Sequence, residues 1–387
     1  MNRKQGIWMI VPFLTIVFGF TFLRYIKPDY YESKAENRLL AEKPIKGKTG
    51  DETYSEAYEK YVTDQFPMRD RMLRLHMNTE IMMNKTDIKG YYLQDDKWIF
   101  EKSDLRLSDE AAKMCADRVN KYGEIITSRG KEFYYASTPQ KENILVDRMP
   151  KYSNLHILLN NRERFLNGLD PKVVSLIDLR SSFLSTLSSE ELDSIYFKSD
   201  NHWNGLGGYL GFKVIMEGIG VNINDSDYTF KKIKNRDFNG IYNQNLYNIY
   251  PENEDIDYVY RKNSEDREYF LHNGQGFQSV EPSTIIGTGI NGKGVTYSTA
   301  YTSSSIHYKV INKNPLIDKK LLIYRDSYHS AMSWLYEDIY REVEVVDPRY
   351  IAKSKTTSEE IAKTTDADIV LMMYNDFGFI TMLSEME

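Results

Sequence analysis

LLIYRDSYHS, Leu321 to Ser330, is the stretch on which the fold turns. Its first four residues are apolar without alternation, which suits a strand covered on both faces, as in a parallel sheet. Polarity returns abruptly at Arg325 and Asp326, so Ser327 falls at a strand-to-helix turn. The signal recurs in EFYYAS (Glu132 to Ser137), VVSLID (Val173 to Asp178), VEVVD (Val343 to Asp347) and DIVLMMY (Asp368 to Tyr374). Helical segments separate these runs, and a long helix is expected upstream from Ser108 to Arg129. Strands alternating with helices predict an α/β domain with a parallel sheet.

Outward from this core the texture changes twice. Between about Val221 and Pro315 the chain is rich in Tyr, Asn and Gly with short alternating runs, which reads as a β-rich insertion. Upstream, KGYYLQDDKWIF (Lys89 to Phe100) reads as strand, turn and strand. A helical pattern from Glu52 to Met83 is interrupted at DQFPMRD, where Pro67 ends or restarts it. Lys27 to Asp51 is polar and reads as an extended connector. Before it, Gly6 to Leu23 is uncharged and carries Trp8, Phe13, Leu14, Val17, Phe18 and Phe22, about one bilayer's worth of helix. Arg24 and Lys27 follow instead of a small-residue cleavage site, so the expectation is an uncleaved signal anchor, with basic residues at both ends leaving orientation undecided. The plan is therefore a transmembrane anchor over 1–27, a connector with helical and hairpin segments over 28–100, and the α/β domain over 101–387 with its insertion at about 221–315.

Reactive groups of a doubly wound sheet collect at the carboxyl ends of its strands. Three such ends are polar here: STPQKEN after the Glu132 strand, SDNHWNG after Tyr196 and Phe197, and RDSYHS after the Leu321 strand. In SDNHW, Asp200 precedes His202 by two residues, close enough for the carboxylate to accept the Nδ1 proton and leave Nε2 outward as a base. An Asp-x-His pair is also a common solvated loop or helix cap. Ser327 is placed as a nucleophile before a helix N-terminus whose N–H groups stabilise an oxyanion, and equally as an N-cap. Taken together, a nucleophile, a base and an orienting acid meet the needs of acyl transfer. His329 is a rival base, but two residues along a nascent helix its side chain points elsewhere. Trp203, beside the base, braces the imidazole, stacks on a sugar ring or packs in the core.

Composition removes other classes. Fifty basic and 56 acidic residues are spread along 387 positions, giving a net charge of −6 and no basic stripe for nucleic acid. The single Cys115, within an amphipathic helix, excludes a disulfide framework and a cysteine metal site. The other histidines, His76, His156, His272 and His307, are scattered, and no metal site or cofactor is expected. GTGINGKG (Gly287 to Gly294) fits a dinucleotide pattern, but VTYSTAYTSSS after it is β-like, so a hairpin turn is expected. ENEDID (Glu252 to Asp257) lacks a calcium loop's glycine and reads as a solvated turn.

The residues above resemble the DHHW family, related to the SGNH-hydrolase-like proteins that O-acetylate alginate and other exopolysaccharides. The match runs through SDNHW, RDSYHSAMSWL, VVDPRY and VLMMYND, and the opening blocks ENRLLAEKP and DQFPMRDR are similar too. The resemblance implies an SGNH-like three-layer α/β domain outside the cytoplasm, with Asp200, His202 and Ser327 as the catalytic group. It implies an acetyl-serine intermediate, a polysaccharide or cell-wall polymer as acceptor, and a membrane-bound O-acyltransferase as the donor partner. The same residues serve an acetylesterase, and a non-catalytic polymer-binding scaffold is a third reading. Two positions depart from the pattern: Asn201 replaces the motif's first histidine, and Arg325 replaces the glycine of the wider superfamily. The second departure leaves the oxyanion hole with the Ser327 N–H and an unassigned partner, for which Gln140, Lys141, Asn143 and Asn375 are the candidates at the other loop ends.

Overall fold

A computed structural model describes residues 3–33, 35–36, 38–47, 52–234, 237–251, 254–262, 266–287, 295–302 and 307–386. The chain divides into two units: Met1–Lys89 with Asn243–Pro251, and Gly90–Tyr242 with Glu252–Glu387.

In the first unit α1 (Arg3–Ile26) is followed by α2 (Tyr54–Asp64) and α3 (Arg69–Met82). Thr53 and Glu56 close a capping box at the start of α2. Pro67 separates α2 from α3 because it cannot donate the backbone hydrogen bond that continues a helix. The connector is pinned and not free. Arg38 grips Asp64 through Nη1 and Nη2 at 2.8 and 2.6 Å, Asp64 also accepts the Ala41 N–H, and Arg69 pairs with Glu36 at 2.9 Å. ENRLLAEKP and DQFPMRDR are thus two halves of one ion-paired lock. The Gly6–Leu23 run does form helix, within α1, and Trp8, Phe13, Phe18 and Phe22 are exposed on it. Among the described residues no helix is long and apolar enough to cross a membrane.

The second unit is built on an eight-stranded sheet. Its strands are β1 (Glu132–Thr138), β2 (Ser175–Asp178), β3 (Arg267–His272), β4 (Phe277–Val280), β5 (His307–Asn312), β6 (Ile317–Arg325), β7 (Tyr340–Val346) and β8 (Ile369–Asn375). Their order is β4-β3-β5-β7-β6-β8-β1-β2. The pairs from β7 to β2 are parallel, whereas β4, β3 and β5 join antiparallel. The five strands expected from the sequence form the parallel part of the sheet, and the antiparallel edge beside them was not foreseen. The insertion does not stand apart: three of its strands extend the sheet, β3 and β4 as an antiparallel hairpin and β5 between β3 and β7.

Alternate residues of the central strands enter two cores. Leu321, Ile323, Leu371 and Val345 join one, with α6 (Gly205–Gly218) contributing Phe212 and Ile215. Leu322, Tyr324, Val370 and Met372 join the other, beside Val119 and Ile126 of α4 (Asp109–Thr127) and Phe165 of α5 (Leu155–Leu166). This is the three-layer α/β arrangement, and each such side chain contributes about 1.5–3 kcal/mol by burial. Cys115 is a buried free thiol in the second core.

Candidate active site

β6 is central in the sheet and ends at Arg325, so the next residues stand at the carboxyl edge. Asp326 caps the 3-10 turn Ser327–Ala331 by accepting the Tyr328 N–H at 2.9 Å. Its other oxygen accepts the Asn375 N–H and Nδ2 at 2.6 and 2.7 Å, which ties the turn to the end of β8. Burial raises the Asp326 carboxyl pKa, against the pull of those hydrogen bonds.

The His202 loop is held differently. Tyr196 and Trp203 form an isolated bridge and Phe197 N donates to His202 O at 3.3 Å, so SDNH is a small loop closed on itself and not the end of a sheet strand. Asn204 then caps α6, accepting from Leu206 N and Gly207 N at 3.0 Å each. Glu254 accepts the Lys198 N–H at 2.5 Å and the Ser199 N–H at 2.9 Å. ENEDID is thus in part a clamp on the loop and not a solvated turn, with Ile256 and Asp257 opening a strand and Glu252 and Asn253 outside the described residues. Lys141 Nζ donates to Phe197 O and Lys198 O at 3.1 and 2.9 Å. Burial lowers the Lys141 pKa to about 8 despite neighbouring carboxylates.

The two loops meet because α6 starts with glycines: a Cβ on Gly208 would lie 2.8 Å from Ala331 O, in the Ser327 turn. Trp203 Nε1 donates to Tyr328 O at 2.9 Å and Tyr328 Oη to Asn201 O at 2.5 Å, lacing turn to loop. The result is one line of hydrogen bonds. Asp200 Oδ1 lies 2.6 Å from His202 Nδ1, and His202 Nε2 lies 2.7 Å from Ser327 Oγ. The Ile241 N–H holds the second Asp200 oxygen at 2.8 Å. Burial raises the Asp200 pKa, but His202 and these hydrogen bonds outweigh it and the net direction is down. The carboxylate therefore stays ionised, fixes the tautomer with Nδ1–H, and leaves Nε2 to take the serine proton.

Trp203 has no face for a sugar: it is fully buried, so among its expected roles only bracing and packing remain. The ring on the imidazole is Tyr297, 3.8 Å away and nearly parallel. Tyr297 escaped the sequence reading because its segment looked β-like, yet Tyr297–Ala300 forms one helical turn. Residues 288–294 of GTGINGKG lie outside the described residues. His329 is buried against Tyr336, and burial followed by the Arg325 charge drives its pKa well down, so it faces the core. Arg325 runs inward to Ser330 Oγ at 3.3 Å. Gln140, Lys141, Asn143 and Asn375 are all buried. Gln140 Nε2 donates to Tyr242 Oη, Arg180 Nε donates to Asn143 O, and Asn375 engages Asp326. Of the four, Lys141 braces the His202 loop and Asn375 the Ser327 turn. Among the described residues no group of three or more His, Cys, Asp or Glu is placed to hold a metal.

A serine at the end of a central strand is thus reached by a histidine and an aspartate in one hydrogen-bonded line on a three-layer sheet. Residues 93–282 match the family model described as "SGNH hydrolase-like domain, acetyltransferase AlgX". The structure is similar to Bacillus cereus PatB1 carrying a sulfonyl adduct, at 22% identity and a TM-score of 0.67, over 76% of this chain and 97% of that one. It is also similar to a DHHW family protein from Eubacterium siraeum, at 19% identity and a TM-score of 0.56, over 77% of this chain and 97% of that one. No curated protein matches the sequence.

Proposed function

We propose that the chain is a membrane-anchored, extracytoplasmic O-acetyltransferase that modifies a cell-surface polysaccharide or cell-wall polymer. The observation that carries this reading is the 2.7 Å approach of His202 Nε2 to Ser327 Oγ, with Asp200 behind the ring at 2.6 Å. Ser327 Oγ attacks the acyl carbon of the donor while its proton passes to His202 Nε2. Asp200 stabilises the imidazolium, and the leaving group departs with that proton. A sugar hydroxyl then gives its proton to Nε2 and attacks the acetyl-serine, and Ser327 Oγ leaves and recovers the proton. The Ser327 N–H is one oxyanion donor. A membrane-bound O-acyltransferase supplies the acetyl group, and α1 keeps the domain beside it.

Incubating the full-length protein with an activated acetyl ester and candidate oligosaccharides tests the reading. Acetylated sugar is expected. Free acetate with unmodified sugar would replace transferase by esterase, and a Ser327 that a serine-directed sulfonyl probe leaves unlabelled would sink both.

A further inference from the structure

The first unit carries an open cleft of about 820 Å³ that the acyl-transfer chemistry does not use. Phe20 of α1, Val62 of α2 and Phe66 make its apolar wall, with the Phe20 and Phe66 rings 5.0 Å apart. Arg24, Lys27 and Lys43 make its rim. Asp29, the one carboxylate among the described residues of the lining, pairs with Arg24 at 2.8 Å, and Arg24 also stands over the Tyr61 ring at 4.7 Å. Lys27 and Lys43 are exposed and have no acid partner among the described residues. Three cations against one carboxylate leave the cleft two positive charges in excess.

An apolar wall under an uncompensated cationic rim selects its occupant. A free phosphate leaves the aromatic wall wet, while a neutral sugar stacked on that wall or a neutral apolar ligand leaves the two ammonium groups unanswered. A molecule with one acyl chain and one phosphate satisfies both. Position makes the same choice: Phe13, Phe18 and Phe22 are exposed along α1, and the charges begin at Arg24, where the apolar run ends. That is the depth at which basic and aromatic side chains meet lipid headgroups.

We infer that this cleft binds one anionic phospholipid, its acyl chain along Phe20, Val62 and Phe66 and its phosphate between Lys27 and Lys43. The inference rests on the membrane placement of α1 proposed above. The test is native mass spectrometry of the full-length protein in a neutral detergent, titrated with phosphatidylglycerol or with phosphatidylcholine of the same chains. One phosphatidylglycerol per protein is expected at about tenfold lower concentration than phosphatidylcholine. The Lys27→Gln/Lys43→Gln double variant should lose about tenfold of that retention while Ser327 is still labelled by the serine probe. Equal retention of the two lipids, or no change in the double variant, overturns the site, as does retention that added inorganic phosphate abolishes. Membrane fractionation of cells reports the anchor separately: a membrane-bound chain that does not prefer the anionic lipid keeps the anchor and loses the site, and a chain absent from membranes loses both.

Discussion

The Ser327 turn and the His202 loop face each other across one hydrogen bond, yet they are built on opposite principles. Ser327 follows directly from a central strand, and its cap, Asp326, is its immediate neighbour. The His202 loop owes its shape to groups distant in sequence: Lys141, Glu254 and the Ile241 N–H, 40 or more residues away. Ser327 is therefore placed mainly by local backbone geometry, while Asp200 and His202 are placed by tertiary clamps. Damage to a clamp should misalign the triad without removing any member of it.

Ser327→Ala is expected to have the largest effect, a loss of about 10³-fold or more in turnover with the fold unchanged by circular dichroism. Retained turnover would place the nucleophile elsewhere. Gly240→Ala comes next: a Cβ there collides with the Ser199 backbone, beside the residue whose N–H holds Asp200. We expect turnover to fall about 10- to 100-fold, with KM little changed, since about 1 Å of misplacement costs that much. An unaltered rate would mean that the loop tolerates movement and the clamp picture is wrong.

Lys141→Met leaves the Phe197 and Lys198 carbonyls without their donor, a loss of about 1–3 kcal/mol in urea unfolding at pH 7. The variant also separates a second effect. The Lys141 pKa is lowered to about 8 by burial, so the folded protein releases that proton before the unfolded chain does. Burying the charged ammonium opposes folding below pH 8, and this penalty fades as pH rises from 8 towards the unfolded value. The wild type should therefore gain stability relative to Lys141→Met over that window. A constant difference across it would show that folding does not lower the Lys141 pKa. Asn375→Ala should have the smallest effect, under about tenfold on turnover, because the backbone N–H of residue 375 still reaches Asp326. A larger loss would make the Ser327 turn as dependent on remote support as the His202 loop.

Legibility followed the same divide. The strands at Leu321 and Asp368 and the helix from Ser108 could be read because burial on two faces and an N-cap leave short-range patterns. Ser327 and the Asp200–His202 pair were readable as loop ends carrying reactive groups. Tyr297 and Glu254 were not, since each sits in a segment whose local composition suggests something else and each acquires its role from a contact far along the chain. The antiparallel edge was missed for the same reason: alternation in the insertion predicts strands but not which sheet they join. Trp203 went the other way, its aromatic surface inviting a sugar-stacking role that complete burial removes.

By itself the sequence determined the α/β plan, the sheet-end position of Ser327 and the spacing that lets Asp200 orient His202, because hydrophobic period, turn chemistry and two-residue proximity act within a few residues. The tertiary structure decided that Nε2 meets Oγ, which clamps, Lys141 among them, hold the His202 loop, and that Asn375 braces the Ser327 turn. Those outcomes depend on close approach between distant segments, such as Gly208 against Ala331, which no local pattern encodes.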